Sequence, residues 1–249
     1  GVGWALSADY IYRDINSTMQ EISDDFFVLH FNGLHERLLM TGENEGMRYR
    51  TEHESGLLIT RVPASSGSSE NDKGEYWLVR AKDGTEHRFG YNKKTELVSS
   101  MEPYVVKWML DKVRDVHGNV IEYDYMEIEG DIGVVYLENV TYGASKVHFV
   151  YKKGIYSTPE LYINGDKILR SGMLTEVEVN NSGLLVRKYL LDYQLLDYKP
   201  FLKSITETGN DGASKLPPVQ FTYTDFAVGF KETPEWKVPS DSQFGGDKD

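Results

Sequence analysis

The chain has 249 residues, enough to bury one sizeable core or two modest ones without metal or crosslink staples. It carries 27 Lys and Arg against 39 Asp and Glu, a formal net charge of −12 with no long basic run, which excludes nucleic-acid binding by phosphate neutralisation. With 40% apolar and 12% aromatic residues the chain is globular rather than disordered, and the absence of cysteine excludes disulfides, thiolate zinc sites and a cysteine nucleophile within it.

The N-terminus, Gly1-Val2-Gly3-Trp4, has no initiator Met, no charged n-region and no apolar h-region. No stretch approaches the roughly 20 apolar residues of a membrane span. The expectation is a piece of a longer polypeptide, with any export signal outside this segment.

From there, alternation dominates. Residues 26–31 are predicted to pair with residues 34–40 across Asn32-Gly33, because Asn and Gly tolerate the positive φ of tight hairpin turns. Residues 63–74 are small and polar and read as a mobile surface loop or short linker. Residues 75–81 should pair with 85–91 across Asp83-Gly84. The best helix candidate, 104–111, reads equally well as a strand through Val106, Trp108 and Leu110. Gly118-Asn119, Asn164-Gly165 and Ser182-Gly183 supply three further hairpin turns.

A weak internal repeat emerges on aligning these strands. A first strand reads apolar-x-x-apolar in Leu110/Val113, Leu137/Val140, Leu174/Val177 and Leu202/Ile205, with starts 27, 37 and 28 residues apart. A second strand carries alternating aromatics: Tyr123 and Tyr125, Phe149 and Tyr151, Tyr189 and Tyr193, Phe221 and Tyr223. One hairpin is marginal in water, whereas hairpins laid side by side bury a continuous aromatic face, so the fold is expected to be an elongated or curved sheet.

The opening Gly1-Val2-Gly3-Trp4-Ala5-Leu6-Ser7 followed by Ile11-x-Arg13 resembles the start of the SpvB-type domain. That domain begins the B component of bacterial insecticidal toxin complexes and a Salmonella plasmid virulence protein. Further matches run in the family's order: Asp83-Gly84 to Phe89-Gly90, Trp108-x-Leu110, Gly118-Asn119-x-Ile121-x-Tyr123-x-Tyr125, Tyr136-Leu137 to Tyr142-Gly143, Val186-Arg187-x-Tyr189, Ser204-Ile205, and Leu216-Pro217-Pro218 leading to Phe221-x-Tyr223. The stretch 115–125 also looks like one Tyr-Asp (YD) unit of RHS-repeat proteins, in which strand-turn-strand units wind into a hollow shell around a toxic polypeptide. The resemblance implies an all-β fold of consecutive antiparallel hairpins forming an extended, curved RHS-like sheet. It spans residues 1–231, with 232–249 a connector to a downstream region of FG-GAP propeller type.

Several carboxylates and histidines offer candidate chemistry. The family's founding member is an ADP-ribosyltransferase whose catalytic domain lies at its other end, and such enzymes use Glu-x-Glu. Glu176-Val177-Glu178 and Glu127-Ile128-Glu129 have that form, and alternation would put both carboxylates of each on one strand face, as on any solvated strand. Asp24-Asp25 and Glu52/Glu54 fit loop and strand-exit charges better than a glycosidase pair. His30 and His35 straddle a turn and read as a polar cross-strand pair rather than metal ligands. No phosphate-binding or EF-hand loop is present.

The expectation is therefore a non-catalytic structural module of an exported toxin-complex or RHS-like protein, with no catalytic, cofactor or metal residues and no cofactor. It would contribute to a shell that encapsulates or delivers a toxic polypeptide. Its partners would be other segments of the same or a partner toxin polypeptide, shell and propeller included, and the toxin cargo, with no nucleic acid and no membrane span. The alternatives are a carbohydrate- or cell-surface-binding β module, or an ADP-ribosyltransferase or glycosidase.

Overall fold

A computed structural model describes residues 6, 8–16, 24–42, 47–101, 104–154, 160–163, 165–196 and 199–223. The Trp4 end of the opening motif and the expected connector at 232–249 lie outside the described residues. Nine strands come first: β1 (Tyr10–Asp14), β2 (Phe26–Phe31), β3 (Leu34–Gly42), β4 (Met47–Thr51), β5 (Leu58–Val62), β6 (Tyr76–Arg80), β7 (Glu86–Phe89), β8 (Glu96–Val98) and β9 (Val105–Arg114). Each is antiparallel to its neighbour, and β2–β3 and β6–β7 are the hairpins expected from Asn32-Gly33 and Asp83-Gly84. Asn32 and Gly33 both have positive φ, 48° and 81°, as a type I′ turn requires.

The expected sheet is open, but its first half closes. β1 pairs with β2 on one side and with β9 on the other, Ile11 facing Trp108, so β1 to β7 and β9 form an eight-stranded barrel. Closure removes the exposed backbone edges that an open sheet presents. The lumen is filled by inward-facing side chains: Ile11, Leu29, Ile59, Trp77, Val79, Phe89, Val105 and Trp108 are completely buried. Each such side chain contributes about 1.5–3 kcal/mol of burial free energy. Gly90 is required here, because a Cβ would sit 2.2 Å from Cδ1 of Trp108 and φ is +76°.

β9 is long enough to serve two sheets. One edge carries β8 and then β7, and the other carries β1 along 107–109 and then β10 (Val120–Met126) along 112–114. At this point the chain leaves the barrel, and strands add in sequence: β11 (Tyr136–Tyr142), β12 (Ser145–Lys153), β15 (Gly172–Asn181), β16 (Leu184–Leu196), β17 (Lys199–Thr208) and β18 (Val219–Gln220). A two-stranded hairpin, β13 (Leu161–Ile163) with β14 (Asp166–Ile168), is inserted between β12 and β15. The structure is thus the all-β succession of antiparallel hairpins expected from the sequence, begun on a barrel. Among the described residues no helix is long and apolar enough to cross a membrane.

One face of this wall packs on the outside of the barrel. Met109, which alternates outward between Trp108 and Leu110, forms a second core with Tyr125, Leu137, Phe149 and Leu174, flanked by Tyr10, Val140, Val147, Val177 and Leu191.

Candidate functional site

The wall is built from one repeated junction. An apolar-x-x-apolar spacing of three conflicts with a strand, where residues i and i+3 point to opposite faces. The structure resolves the conflict with a β-bulge in every unit. Phe89 faces Leu110 while Arg88 faces Lys112, leaving Asp111 extra. Tyr125 faces Leu137 while Asp124 faces Asn139, leaving Glu138 extra. The same two-against-one count recurs for Thr175 between Tyr151–Leu174 and Val150–Glu176, and for Lys203 between Tyr193–Leu202 and Asp192–Ser204. The extra residue returns both apolar members of the motif to one face and adds local twist, which curves the wall.

A tyrosine then fastens each hairpin. The Tyr125 hydroxyl donates to the Leu110 carbonyl at 2.8 Å, Tyr193 to Leu174 at 2.6 Å and Tyr223 to Leu202 at 2.8 Å. In each case the acceptor is the carbonyl just before the bulged residue. Burial pushes the phenols of Tyr125 and Tyr193 up, keeping them protonated donors. In the remaining unit the Tyr136 ring packs on Tyr151 at 5.0 Å, and the Tyr136 hydroxyl donates to Asp131 and accepts from the Gly172 N–H.

Buried charges tie the barrel ends and the wall's start. Arg13 donates to the Val105 carbonyl at 3.1 Å and to Asp25 at 2.9 Å, and its guanidinium lies over Phe27 and Tyr104. Arg61 lies over the same Phe27 ring and pairs with Glu75. The first bulge aims Asp111 at Arg88, whose Nε donates to it at 2.6 Å, and at the Tyr91 N–H, also 2.6 Å. Burial pushes the Asp111 carboxyl up, with Arg88 opposing. Removing one member of such a pair costs about 3–5 kcal/mol.

The carboxylates and histidines singled out in the sequence do not converge on a reactive centre. Glu176 and Glu178 share a strand face, as alternation requires, but both pair with Lys188, at 3.0 and 2.7 Å. Their hydrogen bonds hold the Lys188 ammonium above its ordinary range, Glu178 first. Glu127 and Glu129 do not lie on a strand: they follow the end of β10, where the chain turns, and the Glu129 carbonyl accepts from the Lys153 ammonium. Asp25 serves Arg13, and Glu54 accepts from the Gly56 N–H at 2.6 Å. His30 and His35 face each other across β2 and β3, but His30 stacks on Tyr10 and His35 meets the Tyr12 hydroxyl at 3.3 Å. No group of three potential metal ligands occurs among the described residues. The 63–74 loop is pinned rather than loose at its far end: Asn71 donates to the Glu75 and Gly90 carbonyls, and Glu96 accepts from the N–H groups of Asp72 and Lys73. A shallow depression of about 430 Å³ lies between the tips of the β11–β12 and β15–β16 hairpins, lined by Lys146, His148, Glu178 and Asn180 among others.

A closed barrel continued by bulged, tyrosine-fastened hairpins defines the class as an all-β barrel-and-wall fold. The SpvB family model, described as Salmonella virulence plasmid 65kDa B protein, matches residues 1–141, more than half of the chain, and the chain belongs to that family. The fold is similar to the N-terminal domain of effector protein SpvB from Salmonella typhimurium strain LT2, with TM-score 0.70 and 17% identity over 84% of this chain and 89% of that one. It is similar to a chain of the Photorhabdus luminescens Tc holotoxin pore, with TM-score 0.73 and 17% identity, and to one of the TcdB2-TccC3-Cdc42 crystal structure, with TM-score 0.71 and 18% identity. These two matches cover 90% of this chain and 14% of each Tc chain. A search of curated proteins gave no match.

Proposed function

We propose that this chain is a non-catalytic wall module of an exported bacterial toxin-complex protein, residues 1–231 forming the module and 232–249 the connector to a downstream, propeller-bearing region. Its hairpin wall contributes to a shell that encapsulates or delivers a toxic polypeptide. Its partners are the rest of the same polypeptide, a second toxin component and the cargo. The observation that carries the reading is the wall itself: seven strands follow one another beyond the barrel, the same bulge recurs at β10–β11, β12–β15 and β16–β17, and one face is packed. The Glu-x-Glu pair on this wall, Glu176 and Glu178, is held in salt bridges to one lysine, Lys188, which supports a structural use of both carboxylates.

The test is electron microscopy and limited proteolysis of the complete polypeptide with its partner component. Hollow particles whose cargo resists protease, and whose cargo becomes digestible when residues 1–231 are removed, are expected. Solid particles, or cargo cleaved equally fast with and without the module, would overturn the reading.

A further inference from the structure

The wall's last described strand repeats its predecessors residue for residue. Val219 faces Ile205 and Gln220 faces Ser204, as Ile121 faces Val113 and Glu122 faces Lys112 in the first unit. Val147 facing Val140 and Tyr189 facing Val177 occupy the same position in the units between. Phe221, Thr222 and Tyr223 therefore correspond to Tyr123, Asp124 and Tyr125, and Tyr223 already makes the matching bond to Leu202.

In the three earlier units the outer edge of this strand is covered in one way. The middle aromatic or apolar residue faces the second apolar position of the next motif: Tyr123 with Val140, Phe149 with Val177, Leu191 with Ile205. The tyrosine faces the motif's leucine across a bulge: Tyr125 with Leu137, Tyr151 with Leu174, Tyr193 with Leu202. Among the described residues, β18 pairs only with β17. The apolar row Leu191–Ile205–Val219 continues the second core outward, and its last member is 61% exposed. The Phe221 N–H points inward to the Lys203 carbonyl, so by alternation the N–H groups of Gln220 and Thr222 point outward.

We propose that residues 219–223 are a docking edge for one more antiparallel strand of apolar-x-x-apolar design. Its leucine-type residue faces Tyr223, its second apolar residue faces Phe221, and one extra residue bulges between them. The occupant is a strand of the longer toxin-complex polypeptide. This follows from continuity with three filled junctions of identical register, and from length: the module corresponds to 14% of each Tc chain it resembles, so most of such a polypeptide lies outside it. The inference rests on the wall-module reading and names the partner of that surface. The bulge makes the edge selective, because a strand without the extra residue turns one of its two apolar residues to the wrong face.

The test uses the 249-residue chain, isotopically labelled, and a peptide with the sequence of residues 136–153, which carries Leu137-Glu138-Asn139-Val140. Added peptide should protect the Gln220 and Thr222 amides from exchange and shift the Phe221 and Tyr223 signals. A peptide lacking Glu138 should bind about tenfold or more weakly. Because a free hairpin is marginal, the same two sequences are also fused behind residue 249 through a Gly/Ser linker, which raises the effective concentration to about millimolar. Protection at Gln220 and Thr222 by the intact unit, lost without Glu138, supports the proposal. No protection in the fusion, equal protection by both units, or binding elsewhere overturns it. Hollow particles formed without such protection would sink this inference and leave the wall-module reading standing, and the converse result would do the opposite.

Discussion

Deleting Thr175 tests the bulge most directly. Thr175 is the extra residue between Leu174 and Glu176, and only its presence lets Leu174 and Val177 share a face. Without it, one of the two must turn to the polar side. Leu174 is 8% exposed, so its ejection costs about 1.5–3 kcal/mol. The bond from the Tyr193 hydroxyl to its carbonyl, 2.6 Å long, contributes about 1 kcal/mol more. The deletion should therefore destabilise the wall by about 2.5–4 kcal/mol, a large share of a domain stability of about 5–15 kcal/mol. Thr175→Ala keeps the extra residue and loses only the side-chain bond to the Val150 carbonyl at 3.3 Å, a cost of about 0.5–1 kcal/mol. Urea unfolding followed by circular dichroism measures both, and hydrogen exchange separates wall from barrel. A deletion within about 1 kcal/mol of Thr175→Ala would refute the claim that the extra residue sets the register.

Gly90→Ala should cost more than about 3 kcal/mol, since it combines a forbidden φ with a clash against Trp108, and the loss should appear as a lower thermal midpoint read by tryptophan fluorescence. Lys107 gives a pH signature. Its ammonium rests 3.5 Å from the Tyr10 ring centroid, opposite the stacked His30, and burial lowers its pKa from 10.5 to about 8. Above pH 8 the folded chain has released a proton that the unfolded chain keeps until about 10.5, so stability should rise with pH, by about 2 kcal/mol between pH 7 and 9.5. Tyrosines with raised pKa act in the opposite sense only above about pH 10. Lys107→Met should flatten the rise in urea titrations over that range, and an unchanged slope would contradict the assignment.

Much of this architecture was legible in local sequence. Asn32-Gly33, Asp83-Gly84 and Ser182-Gly183 fall at hairpin turns because positive φ is a property of the residues themselves. The ordered motifs from Ile11 to Tyr125 pointed to the SpvB family, which the family match bears out. Barrel closure was not legible: Ile11 and Trp108 meet across nearly a hundred residues, and alternation states which face a residue takes, not which strand lies beside it. The bulge was half visible. Leu110-x-x-Val113 and its repeats show a spacing foreign to a flat strand, and taking that misfit as an inserted residue would have located Asp111 and Thr175. The pairing of Lys188 with both Glu176 and Glu178 was beyond reach, since it depends on the β15–β16 register.

The double use of β9 gives the molecule a direction. A free-standing ribbon of strands can recruit material on either flank, including copies of itself, whereas this one starts on a ring that has consumed its own first flank. Among the described strands, the wall's open flank is the C-terminal one, at β18. The ring thus acts as a starting block from which the described wall strands run in chain order in a single direction.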